Sequence, residues 1–579
     1  MAGSVDIVKL VSKLLDTEKY KEALDVHNDE KYIENFKDNC WDLISVVIGK
    51  IKDDTIIVKP SLHGACEQML AIILEKSSPE EALLEFIEQI ELAKNDAQFS
   101  LILTPLQRLL KKLSVKRGRS LEWCLNSIST YIEGIPTPEF GLEGKERLLL
   151  DSEPNVRRIV RVYSLLPSFY QPFIKELNAD SNIKTKQIIT AFLISLLGKP
   201  LIYVDLDPES NEKSEARQSC SAIVYDICIL EKDVLKFLEY VERCYKESKK
   251  PKSMDKNNVD DPSPYDHQEK INLTTLSGLY YIVFSGNFQL PENAIPQVYN
   301  PEYIIHTTML CIVHLLSFPE YGPLNKAISL CNFLIGRLPK NTSSSLLSST
   351  IHFEMCKSLV NIAIFCGYDT MRKNAVNILG NYINKFDYKG RCQLIKYLID
   401  IANHSGMIGY AITLYKNAID ESFKDAEMAD TFKGTQLISM IKKICHLPSG
   451  AQSDIIELAD QIITSLNFLR YLSLKDKENI TGIRESFSVI ETEYLEPLRT
   501  GINLSKAHYE EKLKEIEEGK HLPEENVNVS VNVGGNVLDK IPSENKKEII
   551  ISALNAFHLI EGLVARLSEC INTNKLHIS

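Results

Sequence analysis

The sequence predicts an all-α fold, an irregular helical-repeat solenoid with a small β element near its C-terminus. Three observations carry that expectation. Apolar residues recur every three or four positions through most of the chain, short polar turns separate these segments, and glycine and proline are scarce. The chain has 25 Gly and 23 Pro among 579 residues, about 4% each against usual values of ~7% and ~5%. A β-sandwich or a loop-rich α/β enzyme would need more of both for its turns. At 44% hydrophobic and 25% charged residues the composition is that of a globular chain.

Taken in order, the first clear helix start is Ser78-Pro79-Glu80-Glu81, where Ser78 can cap, Pro79 takes the first helical position and Glu81 can close a capping box. Leu83, Phe86, Ile87 and Ile90 then share one face. A second helix carries Ile102, Leu106, Leu109, Leu110 and Leu113. After a turn at Lys116–Arg119, Ser120 is placed to cap a third with Leu121, Leu125, Ile128 and Ile132. Three helices in about sixty residues, joined by short turns, read as antiparallel neighbours. Lys246 to Lys270 is polar and charged and reads as a mobile loop. The Ser/Thr-rich stretch Asn341–Thr350 reads as a joint, dividing residues 1–340 from residues 351–579.

The same pattern resumes at Asp369, a candidate cap for a helix burying Met371, Val376, Leu379 and Ile383. A turn at Asp387–Gly390 follows, then a helix burying Leu394, Ile395, Leu398 and Ile401. No strict repeat period is present, which fits a degenerate HEAT-like or armadillo-like array that keeps its apolar spacing and loses identity. From Arg484 to Glu518, the series Phe487, Ile490, Tyr494, Leu498, Ile502, Ser505, Tyr509, Leu513 and Ile516 predicts one long helix, kinked near Pro497. Asn526–Val533 alternates with period two and is the one strand signal. Ser543 opens a last helix expected to bury Ile551, Leu554, Leu559, Leu563 and Leu567.

The chemistry-bearing patterns are mostly exclusions. Formal net charge is −12, the wrong sign for a dedicated nucleic-acid binder; the basic group Lys111, Lys112, Lys116, Arg117 and Arg119 lacks interleaved aromatics. Phosphate-loop, nucleophile-elbow and zinc-protease motifs are absent. Cys311-x-x-His314 and His63-x-x-Cys66 have no second pair to complete a metal site. No cofactor, metal or catalytic residue is expected. Thirteen cysteines with no CxxC, in a chain whose first twenty residues show no signal-peptide core, read as reduced thiols of a protein of the cytoplasm or nucleus. No uninterrupted apolar run reaches the ~18 residues of a membrane span, so no membrane insertion is expected.

Several ordered words are more specific: Thr370-Met-Arg372-Lys373, Asn381-Tyr-Ile383-Asn384-Lys385, Asn403-His404-Ser405-Gly406, Gly434-Thr-Gln436-Leu437, Ser465-Leu-Asn467 running to Arg470-Tyr471-Leu472, Lys475-Asp476-Lys-Glu478-Asn479, and Gly501-Ile-Asn503-Leu-Ser505-Lys506-Ala507-His508-Tyr509. In order and spacing these resemble the glomulin family, densely from about Asp369 to Leu567 and more thinly upstream. The resemblance implies a HEAT-like, non-enzymatic inhibitor of cullin–RING ubiquitin ligases. Its C-terminal domain would bind the RING-box subunit and cover the surface that recruits the ubiquitin-conjugating enzyme. Family members have also been connected to an immunophilin and to a receptor tyrosine kinase. The candidate contacts are the polar members of the matching words: Gln436, Arg470, Tyr471, Lys475, Asp476, Asn479, Asn503, Ser505, Lys506, His508 and Tyr509. Arg and Tyr are hot-spot types. Each also has a structural reading: Arg470 and Lys475 suit a helix C-terminus, Tyr509 lies on the apolar stripe, and His508 could bridge helices. A general solenoid adaptor in trafficking or signalling is the alternative that architecture alone supports.

Overall fold

The computed structural model describes residues 6–113, 117–139, 141, 144–179, 183–206, 214–248, 270–292, 294–295, 299–425, 429–517, 532–533, 536–537 and 543–576. The fold is all-helical. Backbone contacts divide the chain into two compact units, one of residues 1–299 with 310–330, the other of residues 300–309 with 331–579.

In the first unit the expected trio is present as α2 Pro79–Glu91, α3 Asp96–Lys112 and α4 Arg117–Glu133, preceded by α1 Pro60–Lys76. Helix α1 packs on α3, and α2, α3 and α4 pack on one another. Ser78 holds the N-cap position with extended backbone but makes no side-chain cap bond, while Pro79 occupies the first turn. Ser120 does not cap α4. The helix begins at Arg117, and Ser120 lies buried inside it. The Arg119 guanidinium sits 5.1 Å from the Trp123 ring, an i,i+4 contact that helical backbone at 117–119 makes and a turn would not. Lys112, from the basic group, donates to the Leu74 carbonyl at the end of α1.

Next come α5 Pro154–Ala179, α6 Ile183–Ser195, α7 Glu215–Leu230 and α8 Leu273–Phe284. Helix α5 contains Pro172, which cannot donate to the Ser168 carbonyl. Gln107 of α3 fills that vacancy, its Nε2 donating to Ser168 and Phe169 carbonyls at 2.5 and 2.7 Å. A buried polar cluster closes this unit. Arg147 pairs with Asp205 at 2.8 Å, Asn325 donates to Asp205 at 3.0 Å, and the Lys326 ammonium donates to the carbonyls of Ile202, at 2.9 Å, and Val204. Burial brings the Lys326 ammonium down to about 8, against the opposing pull of Asp205. The expected loop at 246–270 lies, over 249–269, outside the described residues.

The second unit stacks α9 Ile351–Phe365, α10 Asp369–Ile383, α11 Tyr388–Ile401, α12 Ser405–Ser422, α13 Gly434–Ile444, α14 Ala459–Lys475, α15 Glu496–Glu517 and α16 Ser543–Leu576. Packing runs α9 on α10, α10 on α11, α11 on α12, α12 on α14, then α14 and α15 both on α16. This is the neighbour-to-neighbour logic of a helical array. Asp369 is the first residue of α10 rather than its cap, whereas Asp387 does cap α11, accepting from the Gly390 amide at 2.7 Å. Thr342, from the Ser/Thr-rich stretch, is fastened to Phe386 by a parallel bridge. Val376 and Ile401 are only half-buried, with Ala375 and Ile378 completing the α10 core.

The long C-terminal helix forms, but its irregularity differs from a simple proline kink. A 3₁₀ turn at Ile483–Ser486 and one α turn lead into a π turn at Glu491–Leu495, and α15 follows. Pro497 has no N–H for the Glu493 carbonyl, and its ring would press on that group. The extra residue of the π turn opens the ladder just ahead of it. The β element is not established. Most of Asn526–Val533 lies outside the described residues, and the antiparallel pairing of Asn532–Val533 with Asn536–Val537 is two residues long.

The last helix faces the core differently from expectation. Ile550, Ala553, Phe557, Ile560, Leu563, Val564, Leu567 and Ile571 form its buried seam, so Leu563 and Leu567 are buried as expected, while Ile551 and Leu559 are exposed at 40% and 53%. By length and mean hydropathy, 1.5 over Lys547–Thr573, this helix also meets the test for a membrane span, although a third of it is buried in the protein.

Candidate functional site

The candidate residues fall on two stretches of the second unit. The first is the end of α14 and the loop behind it. Helix α14 stops at Lys475, where Asp476 turns away from helical geometry. The Asp476 carboxylate, only 2% exposed, accepts from the Ile480 amide at 2.8 Å and from the Thr481 amide and hydroxyl at 2.9 and 2.5 Å. Asn479 takes a left-handed conformation, φ 57°, which Asn tolerates better than most residues. Its side chain accepts from the Arg484 amide and donates to Glu485 at 3.0 Å. Asp476 and Asn479 therefore shape the loop. The Thr481 carbonyl in turn accepts from the Gly434 amide at 2.9 Å, so this loop also seats the first turn of α13 and brings the exposed Gln436 into its neighbourhood.

Arg470 and Tyr471 differ from one another in a useful way. The Tyr471 hydroxyl donates to Asp420 of α12 at 2.6 Å, and the Lys416 ammonium lies 5.6 Å from its ring. Burial and the bond to Asp420 push the phenol up, while Lys424 and then Tyr471 hold the Asp420 carboxyl below its usual range. Tyr471 is thus a half-buried tie between helices. Arg470 is half-buried too, but its enclosed Nε has no hydrogen-bond partner and its guanidinium makes no ion pair among the described residues. Lys475 is exposed at the end of the helix.

The second stretch is the outer face of α15. Asn503 and His508 are exposed; Ser505, Lys506 and Tyr509 are half-buried. Lys506 reaches Glu561 of α16 at 3.2 Å, and the Tyr509 ring stands edge-on to Phe557 at 5.4 Å with His508 perpendicular to it at 5.9 Å. Burial, then the charge of Asp454, raises the Tyr509 phenol. Tyr509 is therefore anchored on the α15–α16 seam, and His508 stands outside it. Both stretches sit on helices packed against α16.

Residues that the sequence reading did not select complete this surface. Leu474 and Ile480 are exposed at 53% and 46% beside Lys475, and Leu504 and Leu559 are exposed on α15 and α16. Leu474 could have been found, because it falls off the stripe formed by Ile462, Leu466, Leu469 and Leu472. Among the described residues no group of three His, Cys, Asp or Glu side chains could hold a metal ion. Half-buried His314 instead bonds Thr274 at 2.8 Å, and its partial burial lowers its pKa.

A stack of antiparallel helices bearing a mixed polar and apolar outer surface defines a helical-repeat protein with the makings of a protein-docking face. The sequence matches the model of a family described as "Uncharacterised protein family, YAP/Alf4/glomulin" over residues 37–546, and the chain belongs to that family. It is similar to glomulin of Mus musculus, 28% identical over 567 residues that cover 95% of this chain and 90% of that protein. Glomulin of Homo sapiens is likewise 28% identical, over 572 residues with the same coverage. Among solved structures, Kap121p bound to Ste12p aligns over 96% of this chain and 59% of that one, at 11% identity and a TM-score of 0.21, a likeness too slight to carry an argument.

Proposed function

We propose that this chain is a non-enzymatic inhibitor of cullin–RING ubiquitin ligases, acting in the cytoplasm or nucleus. In this reading its second unit binds the RING-box subunit and occludes the surface that recruits the ubiquitin-conjugating enzyme. The observation that carries the reading is the match to glomulin over 95% of the chain, with the matching words densest in the second unit. Two features support it. The half-buried Arg470 guanidinium makes no ion pair among the described residues and its Nε has no hydrogen-bond partner there, and Leu474 and Ile480 offer exposed apolar surface next to Lys475. An Arg flanked by apolar anchors is the usual composition of an interface centre. Occlusion needs no conformational relay. A stable complex buries ~1,600 Å², and two large partners cannot share one small docking surface. The test is competition: full-length chain should displace a labelled ubiquitin-conjugating enzyme from the RING-box subunit, and simultaneous binding of both would exclude the mechanism.

A second reading, a solenoid adaptor working through the first unit, is favoured by one observation. Ile56, Ile57 and Val58 stand exposed together, Ile57 at 85%, and such clustering marks contact surfaces more often than isolated exposure does. The two readings use different units and are separated by whether ligase activity responds.

A further inference from the structure

The solvent face of α10 carries a row of asparagines that neither the fold nor the proposed ligase contact uses. Asn374, Asn377, Asn381 and Asn384 are spaced three, four and three residues apart. At 3.6 residues per turn they fall within a face about 80° wide, opposite the part of the buried side formed by Ala375, Leu379 and Ile383. Asn374 is half-buried and the other three are exposed. Among the described residues none of the four side-chain amides makes a hydrogen bond within the protein. Asparagine is a poor helix former because its side chain competes for the backbone, and Lys, Glu or Gln would serve an ordinary solvated face better. The row therefore weakens α10 with no internal return.

Its C-terminal half opens into a cleft. Asn381, Asn384 and Lys385 line it together with Asn332, Lys340, Arg391 and Glu421. Lys385 is held by the carbonyls of Gly336 and Leu338 at 3.1 and 2.7 Å, and Arg391 is paired with Glu421 at 2.5 Å. Three cations face one carboxylate, so the cleft is net positive within an acidic chain.

We propose that this face binds an extended, carboxylate-rich polypeptide segment, with the asparagine amides reading its main chain and the cleft favouring its charge. Each amide offers one acceptor and two donors, so it can take the N–H and C=O of one peptide residue together. From Asn374 to Asn384 the row is about 15 Å long at ~1.5 Å per residue. That matches four or five residues of extended chain at ~3.3 Å each. Main-chain reading gives affinity with little sequence demand, and the cations select for acidic side chains.

The test uses the full chain and fluorescein-labelled decapeptides, one alternating Glu and Gly, one alternating Lys and Gly, and an N-methylated version of the first, followed by fluorescence anisotropy. The Glu–Gly probe should bind, at least tenfold more tightly than the Lys–Gly probe. N381A/N384A should weaken binding at least tenfold. Alanine is the better helix former, so this variant retains its fold, and an unchanged thermal melt checks that. N-methylation should remove binding. Equal affinity for the two charges, wild-type affinity in N381A/N384A, or undiminished binding of the N-methylated probe would each overturn the proposal.

Discussion

Asp476 provides the sharpest structural prediction, because the loop it holds supports both the end of α14 and the start of α13. Replacing it in D476A removes the acceptor of three hydrogen bonds, to the Ile480 amide and to the Thr481 amide and hydroxyl. Thr481 is fully buried, so its two donors find no water in exchange. Hydrogen bonds to charged groups contribute ~1.5–3 kcal/mol each, and the three are not additive. A local loss of about 3 kcal/mol is the reasonable sum. Global unfolding is the wrong assay for a chain of two units, since a single transition is not assured. Amide hydrogen exchange at Ile480 and Thr481 reads the loop directly. At ~1.4 kcal/mol per tenfold, exchange there should accelerate roughly 150-fold in D476A, with D476N intermediate because it keeps one acceptor oxygen. Amides in the middle of α14 should be unaffected. Exchange at Thr481 within threefold of wild type would refute the assignment of Asp476 to the loop.

The remaining predictions concern the docking surface and the two cores. R470A and K475A should each weaken binding to the RING-box subunit by about 1–2 kcal/mol, or roughly 5–30-fold, without shifting the melting temperature; titration calorimetry with the purified partner measures it. His352 is fully buried between His306, at 3.2 Å, and the Tyr382 hydroxyl, at 2.7 Å, and burial followed by the nearby His306 brings its pKa down to about 4. A folded pKa below the unfolded ~6.5 means stability that is complete above pH 6.5 and lost as pH falls toward 4. The loss should total about 3 kcal/mol in the second unit and shrink in H352Q, and an unchanged pH slope in H352Q would count against it. G322A should destabilise the first unit by about 2 kcal/mol or more, because an added Cβ would stand 2.0 Å from the Tyr203 carbonyl oxygen. Wild-type amide hydrogen-exchange protection at residues 201–206 would contradict that.

How far the molecule can be read from its sequence is best seen in particular residues. The trio α2 to α4 was legible because their stripes have one apolar face each. Helix α16 was not, because apolar residues come in adjacent runs, Ile549-Ile550-Ile551 and Leu559-Ile560. A 3.6-residue period cannot choose between such partners until a neighbour is present. Packing against α14 and α15 selected Ile550 and Ile560. The polar words behind α14 posed a related problem. Sequence names residue types suited to contact, but whether a carboxylate turns outward or folds back onto its own loop depends on three-dimensional closure. Asp476 folds back; Lys475 does not. The unpartnered Nε of Arg470 is likewise invisible in sequence, because it records what its neighbours fail to provide.

The measurement that reaches the central claim most directly is reconstituted ubiquitylation by a purified cullin–RING ligase with full-length chain in saturating excess. Occlusion predicts that substrate chain formation is suppressed, that raising the ubiquitin-conjugating enzyme restores it, and that R470A/K475A suppresses less well than wild type. Normal chain formation at saturation would contradict the account, and inhibition that no amount of the conjugating enzyme relieves would contradict its mechanism.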